Sequence, residues 1–247
     1  MVLLIDVGNT NICVVKYDGN NICGKIVRIK TLVERTSDEY YLLLRDMVDL
    51  TDVKSVAISS VVPDVTLALK QLFEKYLNID AIVLGPKVKT GVGIKADNPR
   101  EVGADLICDA AAITQGEALV IDLGTATKYL YIKNKTLAGV VISPGVNVSI
   151  KALVKNTALL PNVDIKVPAK VLGNNTINCM QSGVTYGVAS QVDGMIERIK
   201  DEVGNMNLRV IATGGLAALI VPLCKHNIEV DELLTLKGLI EIYRRNI

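Results

Sequence analysis

The stretch Val2-Leu3-Leu4-Ile5-Asp6-Val7-Gly8-Asn9-Thr10-Asn11-Ile12-Cys13-Val14-Val15-Lys16-Tyr17 decides the fold class. An apolar run leads into an aspartate and a glycine-bearing polar turn, and a second apolar run returns toward Asp18-Gly19-Asn20. Short apolar runs bounded by glycine and asparagine read as buried strands joined by a turn. The pattern recurs 116 residues later. Leu119-Val120-Ile121 leads into Asp122-Leu123-Gly124-Thr125-Ala126-Thr127, then Tyr129-Leu130-Tyr131-Ile132 and the polar turn Lys133-Asn134-Lys135. One copy alone is an ordinary hairpin. Two copies half a chain apart imply two similar lobes of ordinary domain size with a nucleotide cleft between them. The expected division is a first lobe over residues 1–115, with one phosphate turn. A second lobe over 116–247 holds the other phosphate turn and a third glycine turn that can pack on a flat base or face a phosphate.

The residue types suit phosphate. Glycine lets a turn approach a phosphate closely, and turn amides with Asn or Thr side chains donate to it. An aspartate at the strand end can hold a hydrated cation that screens the phosphates, which for Asp6 would be magnesium through water. A third glycine turn, Thr213-Gly214-Gly215-Leu216, lies between the apolar run Val210-Ile211-Ala212 and a helix start. Helical spacing predicts Ser37 to Leu50, starting at a Ser/Asp cap before Glu39, and Val65 to Tyr76 after Pro63-Asp64. It also predicts an alanine-rich helix from Asp105 to Thr114 and a long one from Gln181 to Val203. Strands alternating with helices give an α/β fold.

Composition narrows the function. Among 247 residues, 27 Lys+Arg face 26 Asp+Glu, a net charge of +1 that gives no reason to expect a nucleic-acid or anionic-membrane surface. Despite a mean hydropathy of +0.37, Asp, Gly, Ser and Pro break every apolar stretch well short of the roughly 18 residues a membrane span needs. The first residues carry no basic leader or small-residue cleavage site, so a secretory signal is not expected and the cytoplasm is. Five scattered cysteines without a C-x-x-C pair suit reduced thiols. One histidine, His226, leaves a zinc site or a histidine-based triad without its parts. No Trp and a single Phe leave no stacking platform for single strands. Chemistry must come from carboxylates, hydroxyls, Lys/Arg and backbone amides.

The sequence resembles the type III pantothenate kinases of the acetate and sugar kinase, Hsc70 and actin superfamily. The resemblance is carried by Asp6-Val7-Gly8-Asn9-Thr10-Asn11, Ser60-Val61-Val62-Pro63, Asp97-Asn98-Pro99-Arg100-Glu101-Val102-Gly103-Ala104-Asp105 and Ile121 to Thr127. Ser143-Pro144-Gly145, Asn175-Thr176, Ser182-Gly183, Ala212 to Gly215 and Leu236-Lys237-Gly238-Leu239 extend it nearly end to end. The fold implied is a pair of ribonuclease-H-like lobes, a duplicated actin-like arrangement. The activity implied is ATP-dependent phosphorylation of pantothenate to 4'-phosphopantothenate, the first step toward coenzyme A. By the same resemblance Asp105 is the general base, and Gly103, Ala104, Asp105, Leu106 and Thr176 hold pantothenate. Asp6, Val7, Gly8, Asn9, Thr10, Asn11, Ile12 and Cys13 form the ATP turn, and Thr125 also touches ATP. Asp122 holds a monovalent cation, potassium or ammonium, and magnesium travels with ATP. A homodimer completes the pantothenate pocket across its interface.

Three departures bear on the substrate. Where the family has a tyrosine two residues before the Asn-Pro string, this chain has Ala96; Leu106 replaces the arginine after the base. Lys128-Tyr129-Leu130 stands where Thr-Phe-Asp is common. A lost hydrogen bond to a charged group costs about 1.5–3 kcal/mol, tenfold or more in affinity at roughly 1.4 kcal/mol per decade. Lys128 on an alternating strand is expected to face solvent, so Lys128→Ala is expected to change neither activity nor cation dependence. The alternative is an ammonium turned inward that replaces the monovalent cation or binds a phosphate. Without the resemblance, Asp105 reads as a carboxylate favouring a helix N-terminus, Asp122 as a turn cap and Thr176 as a helix cap. Two other functions remain open to the sequence: a non-catalytic nucleotide-binding relative like the Bvg accessory factors, and a kinase for another small hydroxyl compound.

Overall fold

The computed structural model describes residues 1–247. The chain forms two compact units, Met1–Thr114 joined by Leu234–Ile247, and Gln115–Leu233. The C-terminal segment, expected in the second lobe, therefore packs with the first.

The first unit is built on strands β1 (Val2–Val7), β2 (Asn11–Tyr17), β3 (Ile22–Lys30), β4 (Ser55–Ser60) and β5 (Ile82–Val83), in the order β3-β2-β1-β4-β5. β1 pairs antiparallel with β2 and parallel with β4. Side chains alternate along a strand. Leu3, Ile5 and Val7 face a core completed by Tyr40, Leu44, Leu69, Leu72 and Phe73 of helices α1 (Ser37–Met47) and α2 (Pro63–Leu77). The opposite face, which carries Leu4 and Asp6, takes α3 (Ala104–Ala112) and the C-terminal helix. A short strand β6 (Gly93–Ile94) precedes α3.

The second unit repeats this order. Strands β7 (Glu117–Leu123), β8 (Ala126–Lys133), β9 (Thr136–Pro144), β10 (Arg209–Thr213) and β11 (Glu229–Val230) run β11-β10-β7-β8-β9. Again the central strand, β7, is antiparallel to its hairpin partner β8 and parallel to the later strand β10. The helices α4 (Val146–Lys155), α5 (Thr176–Val203) and α6 (Ala217–Ile220) cover the face of Leu119, Ile121, Leu123 and Tyr129. Asp122 and Lys128, paired across β7 and β8, lie on the other face. The second hairpin closes on Asn134 and Lys135, whose φ of 50° and 60° are the left-handed values of a tight two-residue turn.

Helix boundaries follow their caps. Thr36, one residue before the expected start, caps α1 in a capping box with Glu39. Pro63 supplies the first residue of α2, where its missing N–H costs nothing. Asn175 caps α5, its Oδ1 accepting from the Asn178 N–H at 2.9 Å. The long helix thus starts ahead of Gln181, and Thr176 is its first residue rather than its cap. Sequence periodicity did not reveal α4 or the last helix, α7 (Leu234–Arg244).

Helix α7 is fastened to the first unit at several points. Thr235 Oγ1 donates to Asp109 Oδ1 of α3 at 2.7 Å, and Arg244 Nε donates to the Tyr17 hydroxyl at 2.9 Å. Asn246 exchanges two hydrogen bonds with the Lys89 backbone, each 3.0 Å. At Gly238 the helix comes so close to α3 that a Cβ would overlap the Cys108 carbonyl. Gly238→Ala gains about 1 kcal/mol of helix propensity, but overpacking against rigid backbone costs about 1–3 kcal/mol or more. Net destabilisation in urea unfolding is the expected result. Gly187→Ala, in a stretch of α5 with open space around the Cα, is expected to stabilise by up to about 1 kcal/mol. Equal effects at the two glycines would contradict this packing.

Candidate active site

In the first unit, β1 ends at a turn held from both sides. The Gly8 N–H donates to the Asn11 carbonyl at 3.0 Å, and Thr31, at the end of β3, donates through Oγ1 to the Gly8 carbonyl at 2.7 Å. The Thr31 N–H donates to the Thr10 carbonyl at 3.0 Å. Asn9, Thr10 and Asn11 stay exposed at the tip. Backbone bonds fix the turn while amide and hydroxyl side chains face outward, the arrangement that phosphate binding needs.

Asp6 lies one residue back from the end of β1, between Cys13 on β2 and Ser59 on β4. Ser59 Oγ donates to Asp6 Oδ1 at 2.9 Å. Sequence reasoning missed Ser59, which sits one position before the Ser60-Val61-Val62-Pro63 motif. Its signal was the strand register, invisible in one sequence. Burial pushes the Cys13 thiol up to about 11, partly opposed by Arg28 and assisted by Asp6. Cys108 of α3, fully buried, is raised well above its ordinary value by burial and then by the charge of Asp6. The Ser59 hydroxyl beside it acts the other way, and Asp109 and Asp105 add smaller upward effects. Asp6, Ser59, Cys108, Asp105 and Asp109 are therefore electrostatic neighbours at one end of the sheet.

Asp105 stands in the first turn of α3, after Gly103 at the cap position. Its Oδ1 accepts from the Leu106 N–H at 2.9 Å and lies against Gly103, where a Cβ would come within 2.5 Å of it. The preceding string folds into a short 3-10 turn at Pro99–Glu101. Asn98 caps it, accepting from the Arg100 N–H at 3.3 Å and donating to Glu101 Oε1 at 2.6 Å. Only Val102 and Gly103 separate this turn from α3. Of the departures, Ala96 is exposed. Leu106 and Leu130, by contrast, are buried at 8% and 0% exposure. Leucine at those two positions fills core space instead of leaving a polar gap.

In the second unit the corresponding turn is one residue tighter. Val7 pairs with Ile12 across the first turn, and Leu123 with Thr127 across the second. The Gly124 N–H donates to the Ala126 carbonyl at 3.2 Å, the Gly145 N–H to the Thr125 carbonyl at 3.2 Å, and the Leu216 N–H to the Leu123 carbonyl at 3.3 Å. The Ser-Pro-Gly and Gly-Gly motifs thus both close on the Leu123-Gly124-Thr125 turn. Gly214, at φ 90°, brings its Cα so near Asp122 that a Cβ would stand 2.6 Å from Oδ1. Only glycine combines that backbone angle with that approach. Thr125 and Thr176 are exposed.

Lys128 does not face solvent. Its Nζ lies 2.6 Å from Asp122 Oδ2, and both side chains are only 14% exposed. The antiparallel register sets the two directly opposite each other, and a buried carboxylate draws an ammonium against the ordinary preference of lysine for water. Nowhere in the chain do three His, Cys, Asp or Glu side chains gather as a metal cluster, and no helix is long and apolar enough to cross a membrane.

The profile of type III pantothenate kinase matches residues 2–198. The chain is 50% identical over 248 residues to a type III pantothenate kinase of Acholeplasma laidlawii, covering 100% of each. It is 46% identical over 255 residues to one from an Exiguobacterium species, covering 100% of this chain and 99% of the relative. Among solved structures, a chain named as a Baf family transcriptional activator from Campylobacter jejuni superposes with a TM-score of 0.61 at 22% identity, covering 99% of this chain and 98% of that one. A chain named as a 2-dehydro-3-deoxygalactonokinase from Sinorhizobium meliloti gives 0.64 at 11% identity, covering 99% and 96%. These structural likenesses concern the fold, a duplicated ribonuclease-H-like α/β architecture.

The thiols give a direct test of the site's packing. Only the thiolate reacts with alkylating agents, and burial keeps Cys13 and Cys108 protonated at neutral pH. Iodoacetamide at pH 8 is expected to modify the exposed Cys179 and to spare Cys13 and Cys108 until the chain is unfolded. Peptide mapping that finds native Cys108 alkylated as fast as Cys179 would contradict the packing of α3.

Proposed function

The chain belongs to the type III pantothenate kinase family, and from that premise we propose that it transfers the γ-phosphoryl group of ATP to the primary hydroxyl of pantothenate. The product is 4'-phosphopantothenate, on the route to coenzyme A. The observation that carries this reading is the 50% identity over the whole of both chains, together with Asp6, Asp122 and Thr125 at the strand ends and turns and Asp105 in the first turn of α3.

Asp105 is the general base in this proposal. Its carboxylate takes the proton of the pantothenate hydroxyl as that oxygen bonds to the γ-phosphorus and the bond to the β-phosphate oxygen breaks, releasing ADP. Its place in the first turn of α3, wedged against Gly103 and the Leu106 N–H, supports a fixed carboxylate, and phosphoryl transfer depends mainly on positioning and charge neutralisation. Gly103, Ala104, Leu106 and Thr176 are assigned to pantothenate. In the first unit, Asp6 through Cys13 bind ATP phosphates with turn amides and the exposed Asn9, Thr10 and Asn11. In the second unit, Thr125 contacts ATP. Asp6, whose Oδ1 is held by the Ser59 hydroxyl, would hold magnesium through water, and that ion would neutralise charge on the phosphate oxygens.

The proposal places the enzyme in the cytoplasm, in keeping with five free cysteines, and gives it no nucleic-acid or membrane partner. It assembles as a homodimer. Support comes from apolar residues left open in the second unit: Ile142 at 64% exposure beside Val140 and Val141, with Leu159 and Leu172 at 92% and 89%. Sedimentation equilibrium is expected to give twice the chain mass for the wild type and a monomer for Ile142→Asp. A monomeric wild type would remove this part of the reading.

The catalytic assignment is tested by ADP release with and without pantothenate, in the wild type and in Asp105→Asn. Turnover that depends on pantothenate and falls about 10²–10⁴-fold in the variant is expected of a lost general base. Nucleotide binding without pantothenate-dependent turnover would point to a binding protein instead. An unimpaired Asp105→Asn would assign the base elsewhere.

A further inference from the structure

The two halves of the duplication differ at one chemically decisive position. In each, the strand-end aspartate has a hydroxyl residue opposite it on the parallel neighbour: Ser59 for Asp6 and Thr213 for Asp122. On the antiparallel neighbour, Asp6 faces Cys13, whereas Asp122 faces Lys128. Across the hairpin, the second copy sets a lysine level with its carboxylate where the first sets a cysteine.

A monovalent cation at Asp122, which the resemblance implies, does not fit this arrangement. The Lys128 ammonium already lies 2.6 Å from Oδ2. Oδ1 lies close to the backbone of Gly214 and Gly124, where added Cβ atoms would stand 2.6 and 3.2 Å away. Both partners are 14% exposed, so a potassium or ammonium ion would have to displace a low-exposure ion pair that the strand register enforces. Removing one partner of such a pair leaves an uncompensated charge.

We propose that Lys128 is a tethered replacement for the monovalent cation, supplying one fixed positive charge at the Gly124-Thr125 turn and making the enzyme independent of potassium and ammonium. The ammonium neutralises Asp122, which would otherwise repel an incoming polyphosphate, and holds the carboxylate against the glycine turn. Lys128 is a positioning residue in this account, acting on the turn through Asp122. The inference rests on the kinase reading for its activity consequences, but the charge substitution itself is a property of the second unit.

The test compares wild type with Lys128→Met in potassium, ammonium, sodium and choline chloride at equal ionic strength, by pantothenate-dependent ADP release and by thermal unfolding without substrates. The wild type is expected to turn over at rates within about twofold in all four salts, with an unfolding temperature indifferent to the cation. Lys128→Met is expected to lose at least about tenfold in choline and to recover most of it in potassium or ammonium. Its unfolding temperature should rise selectively with those two ions. A purely structural lysine would show no such selective rescue. Strong potassium activation of the wild type overturns the proposal, as does a Lys128→Met protein that is equally impaired, or equally active, in every salt. If the variant does not fold, the wild-type salt comparison still decides. If the wild type shows no pantothenate-dependent turnover, the kinase reading fails, and the selective effect of potassium on unfolding of the variant judges the charge substitution alone.

Discussion

Each half of the chain is organised around a carboxylate at the end of a central strand that pairs antiparallel on one side and parallel on the other. The antiparallel partner arrives through a tight glycine turn, so it brings backbone amides to the strand end. The parallel partner arrives later in the chain and brings a hydroxyl residue level with the carboxylate. Asp6 is held this way between Cys13 and Ser59, and Asp122 between Lys128 and Thr213. Alternation then determines the rest: residues one position away face the helix-covered core, as Ile5 and Val7 do in one unit and Ile121 and Leu123 in the other. A one-residue slip in either hairpin would bury the aspartate among aliphatic side chains and expose the core.

The duplication was legible because its signal is local. Apolar runs around Asp-x-Gly need no long-range information, and both hairpins lie where those runs placed them. The four anticipated helices exist, with starts shifted by capping chemistry: Thr36 rather than Ser37, and Asn175 rather than a residue near Gln181. The placement of the C-terminal helix was not legible. Leu236-Lys237-Gly238-Leu239 belongs by sequence position to the second half, yet a close helix approach at Gly238 and the Thr235–Asp109 hydrogen bond hold it to the first. No periodicity encodes which helix a glycine will pack against.

The site was half legible for the same reason. Residue types at the turns announced phosphate chemistry, and the glycine motifs at Gly145 and Gly214 were visible as motifs. Their convergence on one turn came only from hydrogen bonds at Thr125 and Leu123. Ser59 went unnoticed because its role depends on parallel register. Strand alternation sends Lys128 to solvent, the ordinary fate of a lysine, and this fails because the strand opposite it carries an aspartate at the same level. Leu106 and Leu130 read as missing polar groups in one dimension; in three they are core side chains. Leu106 and Leu130 thus contribute packing, and Lys128 an ion pair with Asp122.

The most direct test of the central claim is the identity of the product. Incubating the protein with magnesium, ATP and pantothenate, and following the mixture by phosphorus NMR and mass spectrometry, should show ADP formed in equal amount with a phosphate monoester on the pantothenate primary hydroxyl. ATP left intact, or ADP accompanied by inorganic phosphate with no ester, would contradict the account.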